Sequence, residues 1–170
     1  MLDIIDKSLF EKRISEMNDY GYNSLVFCVI DSVYSIAARY SSTKAVVERF
    51  ANYLGKSIKD QYLISDFIKD FGNFEVDDLA ENIFKNRQRT STTNGILKAD
   101  AVMQFIKVLE AHGIETNEDL LIYKDRYKLM YDVRNIKGQG KGLTFDYVLM
   151  LAGDVDTFKP DRHIINFFSI

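Results

Sequence analysis

Proline occurs once in this sequence, at Pro160, and tryptophan not at all. Without the commonest helix breaker, helices can form wherever apolar residues recur at threes and fours. Cysteine also occurs once, at Cys28 inside the apolar run 25–30. One thiol excludes an intramolecular disulfide and by itself holds neither a zinc ion nor an iron–sulfur cluster. In that run it serves as a small hydrophobe. Only His112 and His163 are left to add to a metal site, so neither a metal nor another cofactor is expected. No window approaches the roughly 20 apolar residues that cross a bilayer. Residues 1–13 alternate charged with apolar positions and lack the apolar centre of a signal peptide. These features together fit a protein of the reducing cytoplasm, away from membranes.

Positive charge is in slight deficit, with 22 Lys and Arg against 25 Asp and Glu and a net charge of −3. That balance argues mildly against nucleic acid, because affinity for phosphates comes from basic side chains displacing counterions. The distribution argues the other way. Segment 85–98 carries Lys85, Arg87, Arg89 and Lys98 with no acid, and segment 124–141 carries six basic residues against Asp125 and Asp132, so each is net +4. Asp66, Asp70, Glu75, Asp77, Asp78 and Glu81 gather elsewhere, which lets an acidic chain present a basic face. Taken singly, either segment reads better as a solvated helix face.

The apolar spacing predicts an all-α fold of roughly seven or eight helices with short links, forming one domain over 1–170. Helices are expected over 4–17, over a mostly buried 24–40, over 43–54, and over 58–71 with a stop at Gly72-Asn73. Two more are expected over 99–110, stopped by His112-Gly113, and over 119–134.

The stretch richest in chemistry is 133–153, read as two helices joined by Gly138-Gln139-Gly140-Lys141-Gly142. Three glycines at alternate positions allow positive φ and leave backbone amides unshielded, so the turn can offer N–H groups to a phosphate at the start of the next helix. Lys137 and Lys141 flank it and add charge to a contact that positions a backbone without reading sequence. Spaced glycines also form Rossmann phosphate loops, but those need a preceding strand, and 119–134 reads as helix.

Ile136, Gly138 and Gly140, followed about twenty residues later by Asp161-Arg162-His163-Ile164, resemble the helix-hairpin-helix DNA glycosylase superfamily, in particular its endonuclease III-like members. The stretch 94–106, with Lys98 near a glycine-containing turn, resembles a further helix of that superfamily. The resemblance implies an all-α fold of that type, with roughly seven to nine helices in two lobes, a hairpin about 133–153 and a catalytic loop and helix start over 154–167. It implies double-stranded DNA as partner and Asp161 as the catalytic carboxylate. Lys137, Gly138, Gln139, Gly140, Lys141, Gly142, Arg162 and His163 are the DNA-binding candidates. Tyr34, Ser35 and Arg39 are candidates for the base pocket. Bifunctional members place a lysine nucleophile where this chain has Gly142 or Leu143, and the iron–sulfur cysteines are absent, so the implied enzyme is monofunctional and free of a cluster.

An aspartate suits that reaction, because breaking the bond between base and sugar builds oxocarbenium charge that a carboxylate stabilises while it orients water. Following Pro160, Asp161 would open a helix, a position that is also common for a plain capping acid. The alternatives are a non-catalytic DNA-binding or lesion-sensing relative, and a protein-interaction module whose glycines only make turns.

Overall fold

A computed structural model describes residues 21–154. The expected helix over 4–17 and the whole of 155–170, with Asp161, Arg162 and His163, lie outside the described residues. Among those described, the chain is helical throughout, with one isolated antiparallel bridge between Arg89 and Leu97.

The helices run α1 Leu25–Tyr34, α2 Tyr40–Tyr53, α3 Ile64–Phe71, α4 Val76–Asp78 continuing into a π-helical turn Leu79–Ile83, α5 Lys98–Ala111, α6 Asn117–Ile122, α7 Arg126–Arg134 and α8 Leu143–Ala152. None is long and apolar enough to cross a membrane. The hydrophobic helix α1 is the centre, with every residue from Leu25 to Tyr34 buried. A helix apolar on all sides must be surrounded, and α2, α3, α5 and α8 pack against it. Phe50 of α2 fills the space beside it, ringed by Phe27, Tyr62, Phe67, Phe71 and Phe84 at centroid distances of 5.4–6.2 Å.

Three expected helices end differently. The helix expected over 24–40 stops at Tyr34, since Ala37 takes a left-handed φ of 49° and Arg39 caps a new helix from an extended conformation. The run 58–71 becomes helical only at Ile64, where Asp66 accepts the Leu63 amide at 3.3 Å. Before it, Tyr62 is tied to the core by its carbonyl, which accepts from buried Ser24 at 2.7 Å.

The run 119–134 is two helices rather than one. Tyr123 turns extended, and the Asp125 side chain caps α7 by accepting the Lys128 amide at 3.1 Å. Arg126 closes the break by donating to the Leu121 carbonyl and to Asp154, both at 2.7 Å. His112, at the end of α5, clamps the same corner through Tyr123 at 2.6 Å and Asp132 at 2.8 Å. Caps and a charged clip outweigh helical periodicity here.

Candidate nucleic-acid interface

The hairpin expected from the glycine spacing is a turn between two separately anchored helices: α7 packs on α5, and α8 packs on α1 and α6. Ile136 is buried at one end of the turn, and Phe145 at the other. Gly138 has φ 94° and Gly142 φ 75°, both in the left-handed region that disfavours side chains. A Cβ at Gly138 would also collide with Thr90, and one at Gly142 would lie 3.0 Å from the Arg134 guanidinium.

Gly140 differs from the expectation for a strained glycine: its φ is not left-handed, and the nearest atom a Cβ would meet is the Arg134 carbonyl oxygen at 4.0 Å. The turn is closed by the Gln139 amide on Ile136 and the Gly142 amide on Gln139, each at 2.9 Å. The amides of Gly140, Lys141, Leu143, Thr144 and Phe145 find no acceptor among the described residues. Those of Leu143, Thr144 and Phe145 belong to the opening turn of α8, where amides gather partial positive charge, and those of Gly140 and Lys141 lie in the turn just before it.

Lys137 and Lys141 are exposed on this turn, as the sequence suggested, and Gly138 and Gly140 are exposed with them. The Gln139 side chain is not on the surface of the turn. It is 2% exposed and its amide group has no partner among the described residues, so it lies beneath the turn.

Among the described residues the pocket candidates are not brought together in a shared cleft. Tyr34 is 1% exposed, its ring 5.4 Å from that of Phe84, and burial raises its phenol above the ordinary range. Ser35 gives its hydroxyl to the Ser32 carbonyl at 2.8 Å. Arg39 is exposed, and its carbonyl starts α2. Two surface cavities of about 490 and 470 Å³ lie elsewhere, one lined by Tyr22, Asn117, Glu118 and Leu151, the other by Gly113, Asp119, Ile122 and Tyr123. Neither touches the hairpin. Among the described residues no group of three His, Cys, Asp or Glu is placed to hold a metal ion.

The basic segment 85–98 is not the open patch its sequence suggested. Arg87 is held by Asp77 and Glu81, which raise its affinity for the proton, the Asp77 hydrogen bond first. Arg89 donates to the Gly95 carbonyl at 2.7 Å. Lys98 is buried at 2% exposure, and its ammonium donates to the Tyr34 carbonyl at 2.9 Å, the Ile36 carbonyl at 2.6 Å and the Gln88 side chain at 3.0 Å. It thus caps the negative end of α1 with a full charge, and desolvation brings its pKa down to about 8. Sequence reasoning missed this role, since a lysine at a helix start reads as exposed.

In segment 124–141 the acids are engaged, Asp125 in the α7 cap and Asp132 on His112. Lys124, Lys128, Arg134, Lys137 and Lys141 are all exposed and make no ion pair among the described residues.

Residues 1–170 match the family described as Domain of unknown function (DUF8548), and the chain belongs to that family. No curated protein and no solved structure matches it.

Proposed function

We propose that this protein binds double-stranded DNA through the turn 136–143, in the manner of the helix-hairpin-helix DNA glycosylases, and hydrolyses the N-glycosidic bond of a damaged or modified base. The observation that supports this best is the turn itself: two left-handed glycines, unengaged amides at the mouth of α8, and the exposed Lys137 and Lys141 on the same few residues. Such a turn suits one phosphate oxygen, held by amide dipoles and two ammonium groups without regard to base sequence. Asp161 supplies the second half of the reading. Held next to the anomeric carbon, its carboxylate stabilises the developing sugar cation and orients the attacking water. The base must first leave the duplex, at a cost of a few kcal/mol that is smaller for a damaged or mispaired base.

Binding and catalysis are tested separately. Asp161→Asn should abolish release of a base that the parent excises while leaving duplex affinity nearly unchanged, because the carboxylate acts on transition-state charge. Normal turnover by that variant would remove Asp161 from the mechanism. Duplex binding by the parent without release of any base from a panel of damaged duplexes would leave the non-catalytic, lesion-sensing reading. No Schiff base should form with an abasic sugar, so borohydride should trap no adduct.

A further inference from the structure

The exposed face of α7 runs directly into the hairpin and is built of two kinds of side chain. Tyr127 is 84% exposed and Tyr131 65% exposed, far more than the hydroxyl alone requires. They stand four residues apart on one side of the helix, opposite the buried Leu129 and Val133. Lys128 and Arg134 flank them and are exposed too. Arg134 joins the face to the turn, its guanidinium reaching the Lys141 carbonyl at 3.4 Å. Both carboxylates of α7 and its cap are occupied, by the Lys128 amide and by His112. The face is therefore cationic and aromatic, and continuous with Lys137 and Lys141.

We propose that this face of α7 is a stacking platform for an unpaired DNA strand that continues from the duplex held at the hairpin. The inference rests on the DNA-binding reading above and names the form of DNA it prefers: a duplex next to a gap, an opened region or a single-stranded tail. Charge complementarity selects a polyanion. The two phenol rings select exposed bases, since every base offers a π-face and stacking of this kind tolerates any sequence. Spacing selects an unstacked strand: four residues of helix rise about 6 Å, whereas consecutive nucleotides of a duplex strand advance about 3.4 Å. Bases inside a duplex offer no free faces to Tyr127 and Tyr131, whereas unpaired bases do.

The test compares fluorescence anisotropy of a blunt duplex, the same duplex with an oligothymidine tail, and the tail alone, at one salt concentration. The parent should bind the tailed duplex at least about five-fold more tightly than the blunt one, the lower end expected for one stacked base. Tyr127→Ala with Tyr131→Ala should erase that gain and leave blunt-duplex affinity as it was; both side chains are exposed, so folding is not at stake. The corresponding Phe substitutions should keep the gain. A parent indifferent to the tail, or a gain that survives both Ala substitutions, overturns the platform, while the hairpin reading stands if blunt binding still depends on Lys141. Tail binding that needs both tyrosines, without blunt-duplex binding, upholds the platform and overturns the hairpin reading. An equal loss for blunt and tailed DNA in the double Ala variant places duplex on the face and overturns the inference. So does self-association through these tyrosines with no gain from the tail.

Discussion

Residues 85–98 and 124–141 carry the same net charge, yet the fold ties the basic residues of the first, Lys85 excepted, inward or to local partners and leaves most of those of the second open to solvent. In the first, Lys98 is buried under α1, Arg89 is bonded to its own loop and Arg87 is shared between two acids. In the second, the acids are engaged by a cap and a histidine while five basic side chains stand exposed. The inward segment also supports the outward one, since Thr90 packs directly against Gly138. Charge counted along a sequence does not measure charge offered to a partner; what matters is which sign the local hydrogen bonds consume.

The largest effect should come from breaking the inward segment. Lys98→Ala would leave the Tyr34 and Ile36 carbonyls and the Gln88 side chain without their donor, and should cost about 3 kcal/mol of stability. Lys85→Ala, exposed in the same segment, should stay within about 0.5 kcal/mol. Urea denaturation of the two variants checks this, and equal midpoints would mean that the ammonium does not hold α1.

The floor of the hairpin gives the next contrast. Gly138→Val combines a left-handed φ with a collision against Thr90 and should cost about 2–3 kcal/mol. Gly140→Ala meets open space and should change stability by less than about 0.5 kcal/mol. Similar melting curves for the two variants would contradict the geometry of the turn.

A smaller effect is expected in the pH dependence of stability. Lys98 has a folded pKa of about 8 against an unfolded value of about 10.4. Between these the unfolded chain binds a proton that the folded one does not, so stability contributed by this group rises with pH. Cys28 opposes it: burial, then the charge of Asp31, keeps its thiol protonated when folded, so stability falls once the unfolded thiol ionises. Burial likewise raises Tyr22, Tyr34 and Tyr62, which lowers stability from about pH 9 upward as the unfolded phenols begin to ionise. The parent should therefore be nearly flat from about pH 8 to 9 and fall beyond it. Cys28→Ala should show a rise of about 1 kcal/mol from about pH 8 to 10, and Lys98→Met should remove that rise. Urea midpoints across this range decide, and identical profiles for all three proteins would refute the assignment.

The helical class was legible because apolar residues at threes and fours are a dense signal; α2 and α5 follow it closely. The break at Tyr123 was not, because it depends on Asp125, Arg126 and His112, and the last two act through partners distant in sequence. The position of the hairpin was legible from its glycines, but which glycines are constrained was not. Gly138 needs Thr90, 48 residues earlier, to show why it must be small, and Gly140 has no such neighbour. Gln139, Tyr34 and Lys98 illustrate the same limit: a polar or ionisable side chain in sequence carries no mark of which way the fold turns it.

The proposed function assigns DNA phosphate to the hairpin in segment 124–141 and not to segment 85–98. Duplex affinity measured across several salt concentrations for the parent, Lys141→Ala and Arg87→Ala tests it most directly. Lys141→Ala should weaken binding about equally for all sequences and lower the slope of log affinity against log salt by roughly one unit, the loss of one released counterion. Arg87→Ala should leave the slope as it was, because Asp77 and Glu81 already neutralise that guanidinium. A Lys141→Ala line parallel to the parent's at unchanged affinity, or a slope lowered as much by Arg87→Ala, would contradict the account.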